Sequence, residues 1–145
     1  MLFTSHLLAG AAIGGVLPNP VAAGVVGFGS HVAMDVVPHW GDRRPERFLA
    51  VARVDGLTAL ALAGTALAVA PPPRRPAVLA GMVGAGLLDL DKPTRHFFGR
   101  SVFPAAVDAW HSRIQVGREA PGRLSNELAA AAGLVAVVLV VLRRR

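Results

Sequence analysis

The segment Gly27-Phe28-Gly29-Ser30-His31-Val32-Ala33-Met34-Asp35-Val36-Val37-Pro38-His39-Trp40-Gly41-Asp42 places metal-binding side chains at the end of an apolar run. His31 and Asp35 are four residues apart, so they share one face if the segment is helical. An imidazole and a carboxylate one turn apart commonly bind a divalent metal. Pro38 is expected to end the helix, because proline has no amide hydrogen and disfavours helical geometry in the residue before it. The residues after Pro38 are therefore predicted to form a loop.

The composition favours a small membrane protein. Of the 145 residues, 53% are hydrophobic, and the mean hydropathy is +0.50, which is more apolar surface than a soluble domain of this length would bury. The sequence contains no cysteine, which excludes disulfides, thiolate metal ligands and cysteine nucleophiles. The net charge is +6, but the basic residues lie at the ends of apolar runs, with two Trp and no Tyr to stack bases. Membrane lipid headgroups are therefore the expected partners, and nucleic acid is not.

Five apolar runs predict a single all-α domain, residues 1–145, that forms a bundle of about five short transmembrane helices. The predicted helices cover about 2–17, 20–37, 48–70, 77–90 and 128–142, and a polar loop covers 92–127. Prolines at 18 and 20 and in the stretch 71–76 predict tight turns. The runs are shorter than the roughly 20 residues that cross a bilayer core of about 30 Å. The polar residues at their ends are therefore expected within membrane depth, where they would serve a site.

Ionisable residues gather on one side of this predicted bundle. With five crossings, all five histidines and all nine acidic residues lie on the side of the N-terminus. Ten of the fifteen Lys and Arg residues lie there too, and the remaining five are Arg74, Arg75, Arg143, Arg144 and Arg145. The positive-inside rule places this side in the cytoplasm of a bacterial-type plasma membrane, whereas an inverted topology would place it outside. A cleaved signal peptide is not expected, because no Lys or Arg precedes the first apolar run.

Side chains from several elements are predicted to meet on that side and to bind a metal. The predicted ligands are His6, His31, Asp35, Asp89 and His111. Nitrogen and oxygen ligands of this kind suit Zn²⁺, and also Mn²⁺ or Fe²⁺, as one ion or two. Asp55 and Asp91 are predicted as further ligands or as partners that orient the imidazoles, and one of them as the general base. For each residue taken alone, helix capping or a salt bridge is the simpler alternative.

A metal at this place would lower the pKa of a bound water toward neutrality and supply a hydroxide beside the lipid headgroups. Arg95, Arg113 and Arg118 are predicted to hold a phosphate group, although attraction to lipid explains them equally well. Two other functions fit the same residues. One is a non-catalytic membrane protein that binds a metal for structure, sensing or transport. The other is a small scaffold subunit whose polar layer binds a protein partner.

Four short motifs are spread over most of the chain. They are Thr4-Ser5-His6, Gly27-Phe28-Gly29-Ser30-His31-Val32-Ala33-Met34-Asp35, Leu88-Asp89-Leu90-Asp91 and His111-Ser112. Together they resemble the predicted membrane-bound metal-dependent hydrolases, although Leu88 stands where that family usually has proline and the order of the second and third motifs is rearranged. The His-x-x-x-Asp unit is also similar to one in zinc-dependent phospholipase C and related zinc nucleases. The resemblance implies hydrolysis of a phosphoester in a lipid or lipid-linked substrate.

Overall fold

The computed structural model describes residues 1–115 and 120–143, and within these residues the protein is helical. The seven α-helices of the described part are α1 (Phe3–Val16), α2 (Pro20–Asp35), α3 (Pro45–Val69), α4 (Arg75–Gly86), α5 (Asp91–Phe98), α6 (Ala105–Gln115) and α7 (Leu124–Arg143). Short 3-10 turns cover Pro72–Arg74, Leu88–Leu90 and Pro121–Arg123. The prediction of an all-α fold is confirmed.

Proline and asparagine determine the first helical hairpin. The side chain of Asn19 accepts a hydrogen bond from the amide of Ala22 at 3.0 Å, and Pro20 is the first residue of α2. An asparagine cap followed by proline is a favourable helix start, because both satisfy or remove unpaired amide hydrogens. The helix α2 ends at Asp35, before Pro38, as the sequence predicts.

The stretch predicted as a polar loop, 92–127, contains two helices instead. These are α5 and α6, and α7 begins within the same stretch. The helix α5 has Asp91 in its first turn and Arg95 and His96 in its last turn, and it ends at Gly99, which has φ of +70°. These features stabilise a short helix through its dipole and its left-handed cap. A search for apolar runs misses such a helix because most of its residues are polar.

The helices α1 and α4 lie at the centre of the protein. The helix α1 contacts α2, α3, α4 and α7, and α4 packs mainly against α1 and α2. Glycines allow this close approach. A Cβ atom on Gly10 or Gly14 would overlap backbone atoms of α4, and a Cβ atom on Gly27 would overlap the carbonyl oxygen of Gly81. Small residues therefore act at these helix contacts, as their spacing predicts.

Two carboxylates, one half-buried and one buried, hold the N-terminus of α1. The Asp55 carboxylate accepts hydrogen bonds from the amides of Phe3 at 2.7 Å and Thr4 at 3.1 Å. The Glu127 carboxylate accepts one from the amide of Leu2 at 2.9 Å. Because the first amides of a helix have no partner within the helix and attract negative charge, these bonds attach α3 and α7 to the start of α1.

Two arginines bind helix ends at the opposite side of the protein. The Arg74 guanidinium donates hydrogen bonds to the carbonyls of Gly15 and Val16 at the end of α1. The Arg75 guanidinium donates to the carbonyl of Ala70, just after α3, at 3.2 Å. The last carbonyls of a helix lack partners and favour cations, so both contacts stabilise these ends.

Two stretches are long and apolar enough to cross a membrane, namely Pro45–Val69 with 25 residues and Pro121–Arg143 with 23 residues. The helices α1, α2 and α4 have 14, 16 and 12 residues. At 1.5 Å per residue they are about 18 to 24 Å long, which is less than a bilayer core of about 30 Å. The described structure therefore has two candidate membrane spans instead of the five that the apolar runs predict.

Candidate metal centre

Asp35 lies at the centre of a buried cluster at the C-terminal end of α2. His6 Nε2 is 3.2 Å from Asp35 Oδ1. His31 Nε2 and His111 Nε2 are 3.1 Å and 3.2 Å from Asp35 Oδ2. All four side chains are buried. Three imidazoles from α1, α2 and α6 thus present the same ring nitrogen to one carboxylate.

Asp89 completes the set of predicted ligands. Its Oδ2 atom is 4.0 Å from His6 Nε2. One ligand atom from each of His31, Asp35, Asp89 and His111 lies within 4.8 Å of the others. The His6 ring stacks on the His31 ring, with centroids 4.0 Å apart. The structure therefore brings together all five residues that the sequence suggests as metal ligands.

The outer nitrogen of His31 is held by a hydrogen bond, and that of His111 lies near a carboxylate. His31 Nδ1 lies 2.7 Å from the carbonyl oxygen of Ala85, and because a carbonyl can only accept, Nδ1 must carry the hydrogen. On a neutral ring the lone pair is then at Nε2, which faces the cluster. His111 Nδ1 lies 3.9 Å from Asp91 Oδ2. An oxygen beside the outer nitrogen is the usual support of a metal-binding histidine.

Within the part of the chain that the structure describes, both ring nitrogens of His6 are unpaired, and a bound metal would give one of them a partner. Neither ring nitrogen of this buried residue has a hydrogen-bond partner among the described residues. Its Nε2 is close to Asp35 Oδ1, at 3.2 Å, but the two groups are not aligned for a hydrogen bond. A buried polar atom without a partner is costly, and such atoms are rare in folded proteins. The donor set and this unpaired imidazole both fit a divalent cation.

Gln115 is a member of the cluster that the sequence did not suggest. Its Nε2 donates a hydrogen bond to Asp35 Oδ2 at 2.7 Å and lies 3.2 Å from His111 Nε2. Gln115 follows His111 by four residues, so the two share a face of α6. This spacing was visible in the sequence, but it has no meaning in a stretch predicted to be a loop.

A lysine keeps Asp89 negatively charged. Lys92 Nζ lies 2.6 Å from Asp89 Oδ1. Burial of the Asp89 carboxyl group would raise its pKa, but the Lys92 ammonium and the rings of His6 and His31 outweigh burial and lower the pKa to about 2. Asp89 therefore remains a carboxylate at neutral pH, as a metal ligand must.

The two predicted general bases lie outside the centre of the cluster. Asp91 is beside the outer nitrogen of His111, and burial raises the pKa of its carboxyl group. Both carboxylate oxygens of Asp55 accept hydrogen bonds from the start of α1. The structure therefore places Asp91 where it can orient an imidazole and Asp55 where it caps a helix.

The structure does not bring Arg95 or Arg113, two of the three predicted phosphate-binding arginines, to the cluster. Arg95 Nη2 forms an ion pair with Asp108 Oδ2 at 2.6 Å. Arg113 is exposed and donates from Nε to the carbonyl of Ala109 at 3.3 Å. Arg118 lies outside the described residues. Among the described residues, neither Arg95 nor Arg113 is therefore placed to hold an anion at the cluster.

Replacement of Asp55 can show whether it caps α1 or acts as the general base. Asp55→Ala should lower the free energy of unfolding by about 2 kcal/mol, because two amides of α1 lose their acceptor. Asp55→Asn keeps an acceptor oxygen and should lose less. Metal content, measured by elemental analysis of the folded fraction, should be unchanged in both. Loss of hydrolytic activity in Asp55→Asn, with normal stability and metal, would restore Asp55 as the general base.

No family model matches the chain, and neither a curated protein nor a solved structure matches it. The buried cluster provides a position that is lined by nitrogen and oxygen atoms and enclosed by helices. Chemically, it can hold a divalent cation and keep it apart from bulk solvent.

Proposed function

We propose that the protein is a membrane-embedded, metal-dependent hydrolase that cleaves a phosphoester in a lipid or lipid-linked substrate. The observation that carries this proposal is the convergence of three histidine Nε2 atoms on the buried carboxylate of Asp35. A bound Zn²⁺, Mn²⁺ or Fe²⁺ ion would supply a water of lowered pKa as the nucleophile. The remaining residues bind and orient the groups around it.

A cation explains the cluster better than hydrogen bonding alone. His31 Nε2 and His111 Nε2 are 3.2 Å apart, and both face Asp35 Oδ2. With the hydrogen of His31 on its other nitrogen, His31 Nε2 and Asp35 Oδ2 are both acceptors, and a hydrogen on His111 Nε2 could serve only one of them. A divalent cation can be bound by both imidazole nitrogens and the carboxylate oxygen at once. It would also supply the partner that His6 lacks among the described residues.

The residues around the cluster have distinct supporting roles in this proposal. The Gln115 amide holds the Asp35 carboxylate, and the Ala85 carbonyl holds the His31 ring. Asp91 lies beside the outer nitrogen of His111 and can orient its ring. Such outer partners typically contribute about 10- to 100-fold to metal affinity or activity.

The membrane setting follows from the apolar helices. We propose that α3 and α7 cross the bilayer and that the shorter α1, α2 and α4 complete a five-helix bundle between or beside them, with the cluster at one end. Polar residues within membrane depth are costly unless they serve a site, and this cluster is such a site. The excess of Lys and Arg on the same side favours the cytoplasmic face of a bacterial-type plasma membrane.

Hydrolysis can be tested with protein purified in a non-ionic detergent and a panel of micellar lipid phosphoesters. Chelation should abolish release of product, and Zn²⁺, Mn²⁺ or Fe²⁺ should restore it. His111→Ala should lower the rate by at least about 100-fold, because it removes a ligand from the metal. Arg113→Ala lies on the same helix, is exposed, and should leave the rate unchanged.

The burial of the ligands favours a second candidate, a metal site without catalysis. His6, His31 and Asp35 are fully buried, as expected of a closed structural site, whereas a catalytic site keeps one position open for water or substrate. Stoichiometric metal combined with no hydrolysis of any phosphoester in the panel would favour this alternative. Absence of bound metal would instead support a scaffold subunit.

A further inference from the structure

A cavity of about 730 Å³ lies beside the cluster. Its volume is within the range of about 300–1,000 Å³ that is typical of small-molecule sites. Two cluster residues, Asp89 and Gln115, form part of its wall. Most of the remaining wall is apolar and includes Phe48, Leu57, Leu60 and Phe97. The cavity therefore joins the candidate metal centre to a hydrocarbon-like surface.

The apolar wall belongs largely to α3, a candidate membrane span. Leu57 and Leu60 are 71% and 64% exposed, so the helix presents them on the outside of the protein as well as to the cavity. In a bilayer this outer face would be covered by lipid chains. A molecule that is already in the membrane can therefore reach the cavity sideways, without leaving the apolar phase.

Two cationic side chains line the same cavity near its polar end. Lys92 donates to Asp89, but an ammonium has three donors, and the Lys92 side chain is 39% exposed. Arg53 is exposed and forms no ion pair with any described residue. Both charges can thus attract an anion that lies against the cluster. They would have the phosphate-binding role that the sequence predicted for Arg95, Arg113 and Arg118.

From these features we infer that the cavity binds an amphiphile with an anionic phosphate headgroup and a hydrocarbon chain. The headgroup lies between Lys92, Arg53 and the cluster, and the chain lies along Leu57, Leu60 and Phe97. This inference rests on the proposed function in one respect: cleavage of the headgroup phosphoester would take place at the cluster. Binding itself needs no metal, so the two can be tested separately.

Trp40 provides a direct probe, because it lines the cavity and is one of only two tryptophans. In a Trp110→Phe background, the emission of Trp40 should be quenched by dodecyl phosphate that carries bromine on its chain, since bromine quenches an indole at close range. The experiment uses chelator-treated full-length protein in non-ionic micelles. Quenching should saturate. The brominated dodecyl phosphate should bind at least about tenfold more tightly than a brominated dodecyl maltoside, because the maltoside lacks the charge.

Matched variants test the headgroup and chain positions. Arg53→Gln should weaken binding of the phosphate amphiphile about tenfold, whereas Arg47→Gln, on the same helix but outside the cavity, should not. Leu57→Gln should weaken both amphiphiles, whereas Val54→Gln should not, because Val54 is equally exposed but does not line the cavity.

Three results would overturn this inference. They are quenching that does not saturate, equal affinity for the phosphate and the maltoside, and displacement of the amphiphile by inorganic phosphate at the same concentration. The last result would indicate a free-phosphate site without a chain. Because metal is absent from the assay, these failures leave metal binding and hydrolysis to their own measurements. Conversely, binding without hydrolysis of any phosphoester would reject the proposed function alone.

Discussion

Asp35→Asn should reduce the bound metal to less than about one tenth of the wild-type content, because it removes a ligand and its charge. Asp35 is the residue that the three imidazoles share, with contacts of 3.1 to 3.2 Å. Replacement by Asn keeps the size of the side chain but removes the negative charge that balances a cation. Elemental analysis of detergent-purified protein measures the effect directly.

Asp42→Asn is a suitable control for this change. The Arg44 guanidinium binds the Asp42 carboxylate at 2.9 Å and lowers its pKa to about 2, so this residue is also an anion at neutral pH. The control therefore removes the same charge from the loop after α2, and metal content should be unchanged. Equal metal in wild type and Asp35→Asn would reject the metal centre as described.

A folding defect in Asp35→Asn can be separated from loss of a ligand. His6→Gln provides a second variant, because it removes one imidazole that has no hydrogen bond among the described residues. It should lower metal affinity while leaving the metal-free protein as stable as the wild type. Added Zn²⁺ should raise the unfolding midpoint of the wild type, and the increase should be smaller in both variants, since a ligand that binds only the folded state stabilises it.

Gly27→Ala should lower the free energy of unfolding by about 3 kcal/mol, the upper part of the usual range for overpacking. A Cβ atom at this position would overlap the carbonyl oxygen of Gly81 and lie 3.2 Å from the amide nitrogen of Ala85. These are backbone atoms of α4, so they cannot move aside as a flexible side chain would. Unfolding in mixed micelles, monitored by helical circular dichroism, measures the change.

Gly29→Ala is the matched control on the same helix. A Cβ atom on Gly29 would have no neighbour within 4 Å. This substitution should be neutral or stabilise the protein by up to about 1 kcal/mol, because alanine restricts the unfolded chain and favours helix. Equal stability of Gly27→Ala and Gly29→Ala would contradict the close contact between α2 and α4 at Gly27.

The same contact between α2 and α4 positions the candidate metal centre. Gly27 precedes His31 by one turn, and the Ala85 carbonyl that accepts from His31 Nδ1 belongs to α4, one turn after Gly81. Separating the two helices at Gly27 would therefore move this carbonyl away from the His31 ring. We expect the folded fraction of Gly27→Ala to bind metal more weakly than wild type, although no ligand has been changed.

Local rules were sufficient to predict much of the fold. Apolar runs and prolines indicated α1, α2, α3, α4 and α7, because helix ends depend on nearby residues such as Asn19 and Pro20. They failed for α5 and α6, which are short and carry many polar residues, and only two of the five predicted spans are long and apolar enough to be candidate spans. Hydropathy detects helices that face lipid or a core, and it is insensitive to helices that lie along a polar end of the protein.

Sequence by itself determined the chemistry that is available, namely imidazoles and carboxylates without thiols, and the pairing of His31 with Asp35 one turn apart. Only the tertiary structure decided which of the other residues join them. Asp55, within α3, and Asp89, in the turn after α4, are the same residue type, yet one caps α1 and the other faces His6. The physical reason is that a carboxylate's role depends on which groups lie within about 3 to 4 Å, and several of those groups come from segments 52 to 125 residues away.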